Sequence, residues 1–347
     1  MALRLRRSER DQLEVFRPTA RNIAPRDAQD LMAYPFFSLA KSRRTKPIDF
    51  RAGDVSVRVD ADHAYGMATI WDADILIWAA SQIVDARDAG FSTSRLMATT
   101  PYEILTFIGR GTSVRDYLRL KAAFDRLQAT TIATSIRQPT GRRMHRFSWI
   151  NEWKERADGQ GRVIGVELIL TDCFYSAVLD DALVLTIDPA YFELLGGLER
   201  WLYRVVRKHG GHQRGGWQFD LRHLHLKSGS LSPLRRFAFE LRDLVRRQPL
   251  PGYRLGLIAE RKRTLLTFAL ACGQPVEPLV LSGTSGHVLS GTPGSCYREQ
   301  KASLSLGYHA AISLRNLESN QDSNLVVERS QSGDGSRAGS TKRRSAR

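Results

Sequence analysis

Two runs of amphipathic helices, each closed by strand-like segments with arginines at the turn, predict an α+β chain. The class expected is tandem winged-helix (helix-turn-helix) domains with a flexible N-terminal arm and a disordered C-terminal tail. Three observations carry this: helical spacing broken by Gly-containing turns, arginines on the third helix of each run, and alternating strands after it. The boundaries read as an arm over 1–50, a first domain over 51–196, a second over 197–271 and a low-complexity tail over 272–347.

Taken in order, Met1 to Phe50 is polar and basic apart from Tyr34-Pro35-Phe36-Phe37-Ser38-Leu39, whose aromatics should dock on the first domain. Lys41, Arg43, Arg44 and Lys46 follow, and contact with DNA and a solvated loop both stay open for them. Val55 to Val59 alternates as a strand should, with Ala64 to Trp71 as its antiparallel partner. Asp72 is placed to cap a helix lined by Leu76, Ala79, Ala80, Ile83 and Val84. Thr100-Pro101-Tyr102-Glu103 is a capping box with Pro at the first helical position, opening a short helix that ends near Ile108. After the turn Gly109-Arg110-Gly111-Thr112-Ser113, a helix over Val114–Gln128 should bury Tyr117, Leu120, Phe124 and Leu127. Arg115, Arg119 and Arg126 lie on another side. Thr130–Ile136 and Met144–Ile150 read as a hairpin whose connection carries Arg137, Arg142 and Arg143. Arg162–Thr171 and Leu183–Ile187 read as strands, and 172–178 as a short helix. A helical turn opened by Asp188-Pro189 ends at Gly196-Gly197.

The second run is the densest in charge. Residues 198–247 hold twelve Lys/Arg and four Asp/Glu, half of the net +16 of the 347-residue chain. Leu198, Trp201, Leu202, Val205 and Val206 recur at helical spacing, and Gly210-Gly211 supplies the stop. Asp220 can cap a short helix over Leu221–Lys227, Ser228-Gly229-Ser230 is the turn, and Ser232 with Pro233 opens a third helix. Leu234, Phe237, Leu241, Leu244 and Val245 form its apolar stripe. Arg235, Arg236, Arg242, Arg246 and Arg247 form another face. Tyr253–Ile258 and Thr264–Leu270 read as a hairpin with Arg261, Lys262 and Arg263 at its tip.

A net charge of this size favours a polyanionic partner, through long-range attraction and counterion release. Cys173, Cys272 and Cys296 are far apart and make neither metal-ligand spacing nor a disulfide framework, which favours a reducing cytoplasm. No apolar run approaches the ~18–20 residues of a membrane span, and the basic N-terminus lacks the apolar core of a signal peptide. No phosphate-binding loop follows a strand, so neither cofactor nor ATPase is expected. Beyond Cys272, segments such as 282–286 and 330–336 carry too little apolar surface to offset ordering entropy.

The stretches LDDALVLTIDPAYFELLGGLERWLYRVVRKHGG, GWQFDLRHLHLKSGS and Pro249-Leu250-Pro251-Gly252-Tyr253, with the earlier YPFFSLAKSRR, resemble the replication initiator protein A family of plasmids. The resemblance spans roughly Met32 to Leu270. It implies a bacterial, cytoplasmic initiator that binds repeated duplex sites at a plasmid origin and recruits host replication proteins, a helicase or a host initiator. Monomer and homodimer both stay open.

Two other readings stand beside it. A transcriptional regulator would share the same DNA-binding elements. A rolling-circle nicking enzyme would need a His-hydrophobic-His metal site and a nucleophilic Tyr, and His223-Leu224-His225 and Tyr117 supply the strings. Both histidines fall in a predicted helix, where residues two apart diverge by about 200°. Tyr117 falls on an apolar stripe. The expected chemistry is therefore docking without catalysis. Arg115, Arg119, Arg126, Arg235, Arg236, Arg242 and Arg246 are placed for phosphates and guanine edges, and Arg137, Arg142, Arg143, Arg261, Lys262 and Arg263 at the hairpin tips for the DNA backbone. The two histidines are exposed helix polars near phosphates.

Overall fold

Two hydrophobic cores organise the chain, one drawn from residues 28–178 and one chiefly from residues 187–268. The computed structural model describes residues 8–18, 22–137, 144–210, 216–260 and 263–271, all within a single unit. The expected tail over 272–347 lies outside the described residues.

The chain enters through β1 (Val15–Phe16), β2 (Arg26–Ala28) and α1 (Gln29–Ala33). The second half of the expected arm is in fact built into both cores. Phe36 and Phe37 are buried against Trp149, with ring centroids 5.4 and 5.2 Å away, and Met32 belongs to the second core. A three-residue strand is too short to show a period, so β2 left no trace in the alternation pattern. A hairpin follows, β3 (Ile48–Ala52) and β4 (Val55–Asp60), turning at Gly53 with φ +54°. Ala64–Trp71, expected as the partner of β4, is not a strand. Its backbone N–H groups are spent elsewhere: Met67 donates to the Arg44 carbonyl, Ala68 to the Thr130 hydroxyl and Ile70 to the Ser38 carbonyl.

α2 (Ala73–Asp88) is buried along its first three turns and serves as the centre of the first core. The Asp72 side chain does not cap it; the carboxylate instead accepts hydrogen bonds from Arg126 and from the Thr69 N–H. Then come β5 (Leu96–Thr99), α3 (Pro101–Phe107), opened by the capping box of Thr100 and Glu103, and α4 (Val114–Ala129), which buries Leu120, Ala123, Phe124 and Leu127. β6 (Thr131–Thr134) and β7 (His145–Phe147) pair with each other, yet they extend the earlier hairpin into a sheet of order β3-β4-β6-β7. The hairpin that returns to β5 is a later one, β8 (Ile150–Ala157) and β9 (Val163–Leu170), in a sheet of order β1-β5-β9-β8. The expected first hairpin therefore forms, but it is not the one that closes the first run of helices. β8 reads INEWKERA, half of it charged and half exposed, so it lacks the apolar alternation that marks a strand.

α5 (Asp172–Leu179) and β10 (Val184–Thr186) lead to the second core, with β10 paired to β2. α6 (Gly197–Gly210), β11 (Trp217–Asp220), α7 (Leu221–Ser228), α8 (Leu234–Arg247), β12 (Tyr253–Glu260) and β13 (Arg263–Leu270) complete it, with sheet order β11-β13-β12. The same order therefore occurs twice: helix, strand, two helices, hairpin, with the lone strand paired to the second strand of the hairpin. The first copy carries β6 and β7 as an insertion before its hairpin.

Buried ion pairs tie the halves together. Asp74 on α2 accepts from Arg200 on α6 at 2.8 Å and from Arg110 at 2.8 Å, while Asp27 accepts from Arg204 at 2.7 and 3.0 Å. In both carboxyls burial pushes the proton affinity up, opposed by the arginines.

Candidate nucleic-acid interface

α8 is the most strongly two-faced helix of the second half. Leu234, Phe237, Leu241 and Leu244 recur at spacings of three and four, and the last three are buried. Its helical residues begin at Leu234, one later than expected: Pro233 is the flanking residue, and the Ser232 side chain does not cap. The turn before it is fixed on both sides. Gly229 takes φ +59°, where a Cβ would meet Pro35 at 3.0 Å, and its carbonyl accepts from Arg44 at 2.6 Å. At the other end Gln248 enters the left-handed region at φ +49°, and its amide exchanges two hydrogen bonds of 2.8 Å with the Leu255 backbone. The helix is thus clipped to the first strand of the hairpin that follows. α7 is held by Asp220, whose carboxylate accepts from the N–H groups of Arg222 and His223.

The expected DNA-binding residues separate into four groups. Arg115, Arg235 and Arg242 are exposed and make no ion pair among the described residues; Arg263, at the start of β13, is also exposed. Arg119, Arg236 and Arg246 are exposed but lean on helical neighbours: Asp116 at 3.3 Å, Glu240 at 2.7 Å and Asp243. Such pairs contribute about 0–1 kcal/mol and yield readily to a phosphate. Arg126 and Arg137 are each paired to an aspartate from elsewhere in the fold, Arg126 half-buried and Arg137 exposed. Arg126 makes a two-pronged contact with buried Asp72 at 2.8 and 2.7 Å, and Asp72 hydrogen bonding holds its guanidinium above the ordinary arginine range. Arg137 pairs with Asp30 at 2.5 Å. Arg142, Arg143, Arg261 and Lys262 lie outside the described residues.

The spacing of Arg115, Arg119 and Arg126 gave no sign that an aspartate fifty-four residues earlier holds the last of them. Arg247 is likewise occupied, by Asp243 at 2.6 Å and Glu199 on α6 at 2.8 Å. The tip of the β8–β9 hairpin carries an arginine that the sequence did not single out, Arg162, paired to Asp158 at 2.9 Å. The strand edge was visible there, but not the hairpin.

His223 and His225 are half-buried rather than exposed. His225 Nε2 lies 2.7 Å from the Ser232 carbonyl, and the His223 ring stacks on Phe219 with centroids 5.7 Å apart. Tyr117 is half-buried against the first core. Among the described residues no helix is long and apolar enough to cross a membrane.

This arrangement offers two basic helix faces and two hairpins on one body. The family model described as Replication initiator protein A matches residues 26–255, from β2 into β12. A Wigglesworthia glossinidia brevipalpis protein named "Putative replication protein" is 32% identical over 228 residues, covering 65% of this chain and 82% of that protein. The crystal structure of domains 2 and 3 of RctB shares the fold with a TM-score of 0.51 at 16% identity, over 69% of this chain and 97% of that one. With the family model matched across both cores, the chain belongs to the replication initiator protein A family.

Proposed function

We propose that the two copies of helix, strand, two helices and hairpin are tandem winged-helix domains that bind duplex DNA at a plasmid origin. The observation that carries this is the repeated pairing: β5-β9-β8 in one copy and β11-β13-β12 in the other, each behind a helix with outward arginines. α4 and α8 enter successive major grooves, with Arg115, Arg235 and Arg242 reaching base edges or phosphates and the hairpins lying along the backbone. Arg119, Arg236 and Arg246 exchange their helical carboxylates for phosphates on binding. Two modules on one chain raise affinity because the second engages intramolecularly.

The chain acts by docking, without strand cleavage. His223 and His225 are taken up by Phe219 and Ser232, and Tyr117 by the first core, which supports that reading over nicking. Docking alone does not open a duplex, so melting falls to DNA bending, several bound copies, or a recruited host helicase or initiator. Nuclease footprinting of the full chain on DNA flanking its own gene tests the proposal. Clustered direct repeats beside an A·T-rich segment are expected; a single palindrome over a promoter would make it a transcriptional regulator instead.

A further inference from the structure

Opposite the buried stripe of α8 the outermost residue is not charged. Phe239 is 66% exposed. At about 100° per residue, Arg235 and Arg242, four before and three after, flank it on the same outward face, and Arg246 lies one turn beyond. α4 repeats the exposed apolar place in register, with Val114 and Lys121 where α8 has Arg235 and Arg242. Leu118 is 60% exposed on the outward face. Arg115 stands three residues before it and Arg236 three before Phe239. Two residues after each lies a buried leucine, Leu120 and Leu241, and five after each another buried residue, Ala123 and Leu244. Single exposed apolar residues are ordinary on protein surfaces. An apolar residue at the same outward place of two helices, each beside basic side chains, suits a partner that is both anionic and locally apolar.

We infer that Phe239, and Leu118 at the equivalent place, are specificity-determining contacts to the 5-methyl groups of thymine in the major groove. This rests on the DNA-binding reading above. The major-groove edge of an A·T pair presents one apolar group, the thymine methyl, and aromatic or aliphatic side chains meet it directly. The arginines on either side supply phosphate or guanine contacts, so the helix reads a thymine bracketed by positively contacted positions. An apolar protein groove would leave Arg235 and Arg242 facing a surface with nothing to neutralise them.

The test uses the full-length protein and a duplex selected by it from a random-sequence library. Each thymine of the selected duplex is replaced singly by deoxyuridine, which removes the methyl and leaves every hydrogen-bonding group. Affinity should fall about four-fold at one or two thymines, the change that matches ~0.8 kcal/mol for one buried methyl. Phe239→Ala should abolish the sensitivity at one of these thymines while leaving the salt dependence and the melting temperature unchanged. Phe239→Leu should keep part of it. If the wild-type protein selects a sequence yet ignores every thymine-to-deoxyuridine change, the inference fails and the DNA-binding reading stands. The inference also fails if Phe239→Ala keeps the wild-type sensitivity profile, including the case in which it only disrupts self-association. If no duplex is enriched at all, the DNA-binding reading fails and the inference with it.

Discussion

Replacing Asp74 by Asn tests the joint between the two halves. Asp74 is fully buried, and its two carboxylate oxygens accept from Arg200 on α6 and from Arg110 at the turn before α4. Arg200 is nearly as enclosed, with 5% of its side chain exposed, whereas Arg110 reaches solvent. Removing one member of a buried pair costs about 3–5 kcal/mol, because the remaining charge is left in a low-dielectric site. Two features moderate the loss: Arg200 still donates to the carbonyls of Leu194 and Phe192, and Arg110 to that of Trp71. The Asn amide also retains an acceptor. The expected cost is therefore about 3 kcal/mol, a large share of the roughly 5–15 kcal/mol that stabilises an ordinary domain. Urea unfolding, followed by tryptophan fluorescence, measures it as a lowered midpoint with an unchanged slope. The double variant Asp74→Leu with Arg200→Met removes both buried charges and should recover most of the loss. If Asp74→Asn lies within ~0.5 kcal/mol of wild type, the range of ordinary surface substitutions, or the double variant is as damaging as the two single losses added, the ion pair does not hold the halves together.

The arginine groups make contrasting predictions. Arg235→Ala should cost about 1–3 kcal/mol on the true site and relax preference at one base pair, whereas Arg263→Ala should weaken all duplexes alike and reduce the salt slope by about 1; binding curves at two salt concentrations separate them. Arg126→Ala should instead act through stability, on the order of 3 kcal/mol, because it strands buried Asp72; an unaltered melting temperature would contradict this. Acid should act through His209. Its ring lies against Trp217 and Phe219, and burial, then the charges of Lys227, Lys208 and His223, hold its imidazole well below the ordinary histidine range. Its folded affinity for a proton is depressed, so its contribution to stability is present above pH ~6.5 and is lost as the pH falls below that, by up to about 1.4 kcal/mol per unit. His209→Gln should flatten the acid limb of a stability–pH profile, and an unchanged limb would assign it to other groups.

Much of the second half was legible because its signals are local. The Asp220 cap, the Gly229 turn and the apolar stripe of α8 each lie within a few residues of the structure they specify. The capping box at Thr100 was legible for the same reason. What escaped the sequence depends on long-range pairing. β6 and β7 look like a hairpin and do pair, but only the partner seventy-odd residues upstream, β4, decides which sheet they join. The two-residue β1, the three-residue β2 and the four-residue β11 are too short to show a period, and β8 is too polar. The arginines illustrate the same limit within the candidate interface. Helical spacing put Arg126 beside Arg115 and Arg119, yet Asp72, just before α2, takes up its guanidinium with two hydrogen bonds. An arginine on a helix face says that charge is present; only the neighbours say whether it is free.

The most direct measurement of the central claim is a methylation-interference map of one bound site with the full chain and two variants. Tandem reading helices predict two clusters of major-groove contacts about one helical turn apart. Arg115→Ala with Arg119→Ala should erase one cluster, and Arg235→Ala with Arg242→Ala the other, each leaving its neighbour in place. A single cluster, or the same uniform loss from both variants, would contradict the account that α4 and α8 each read duplex DNA.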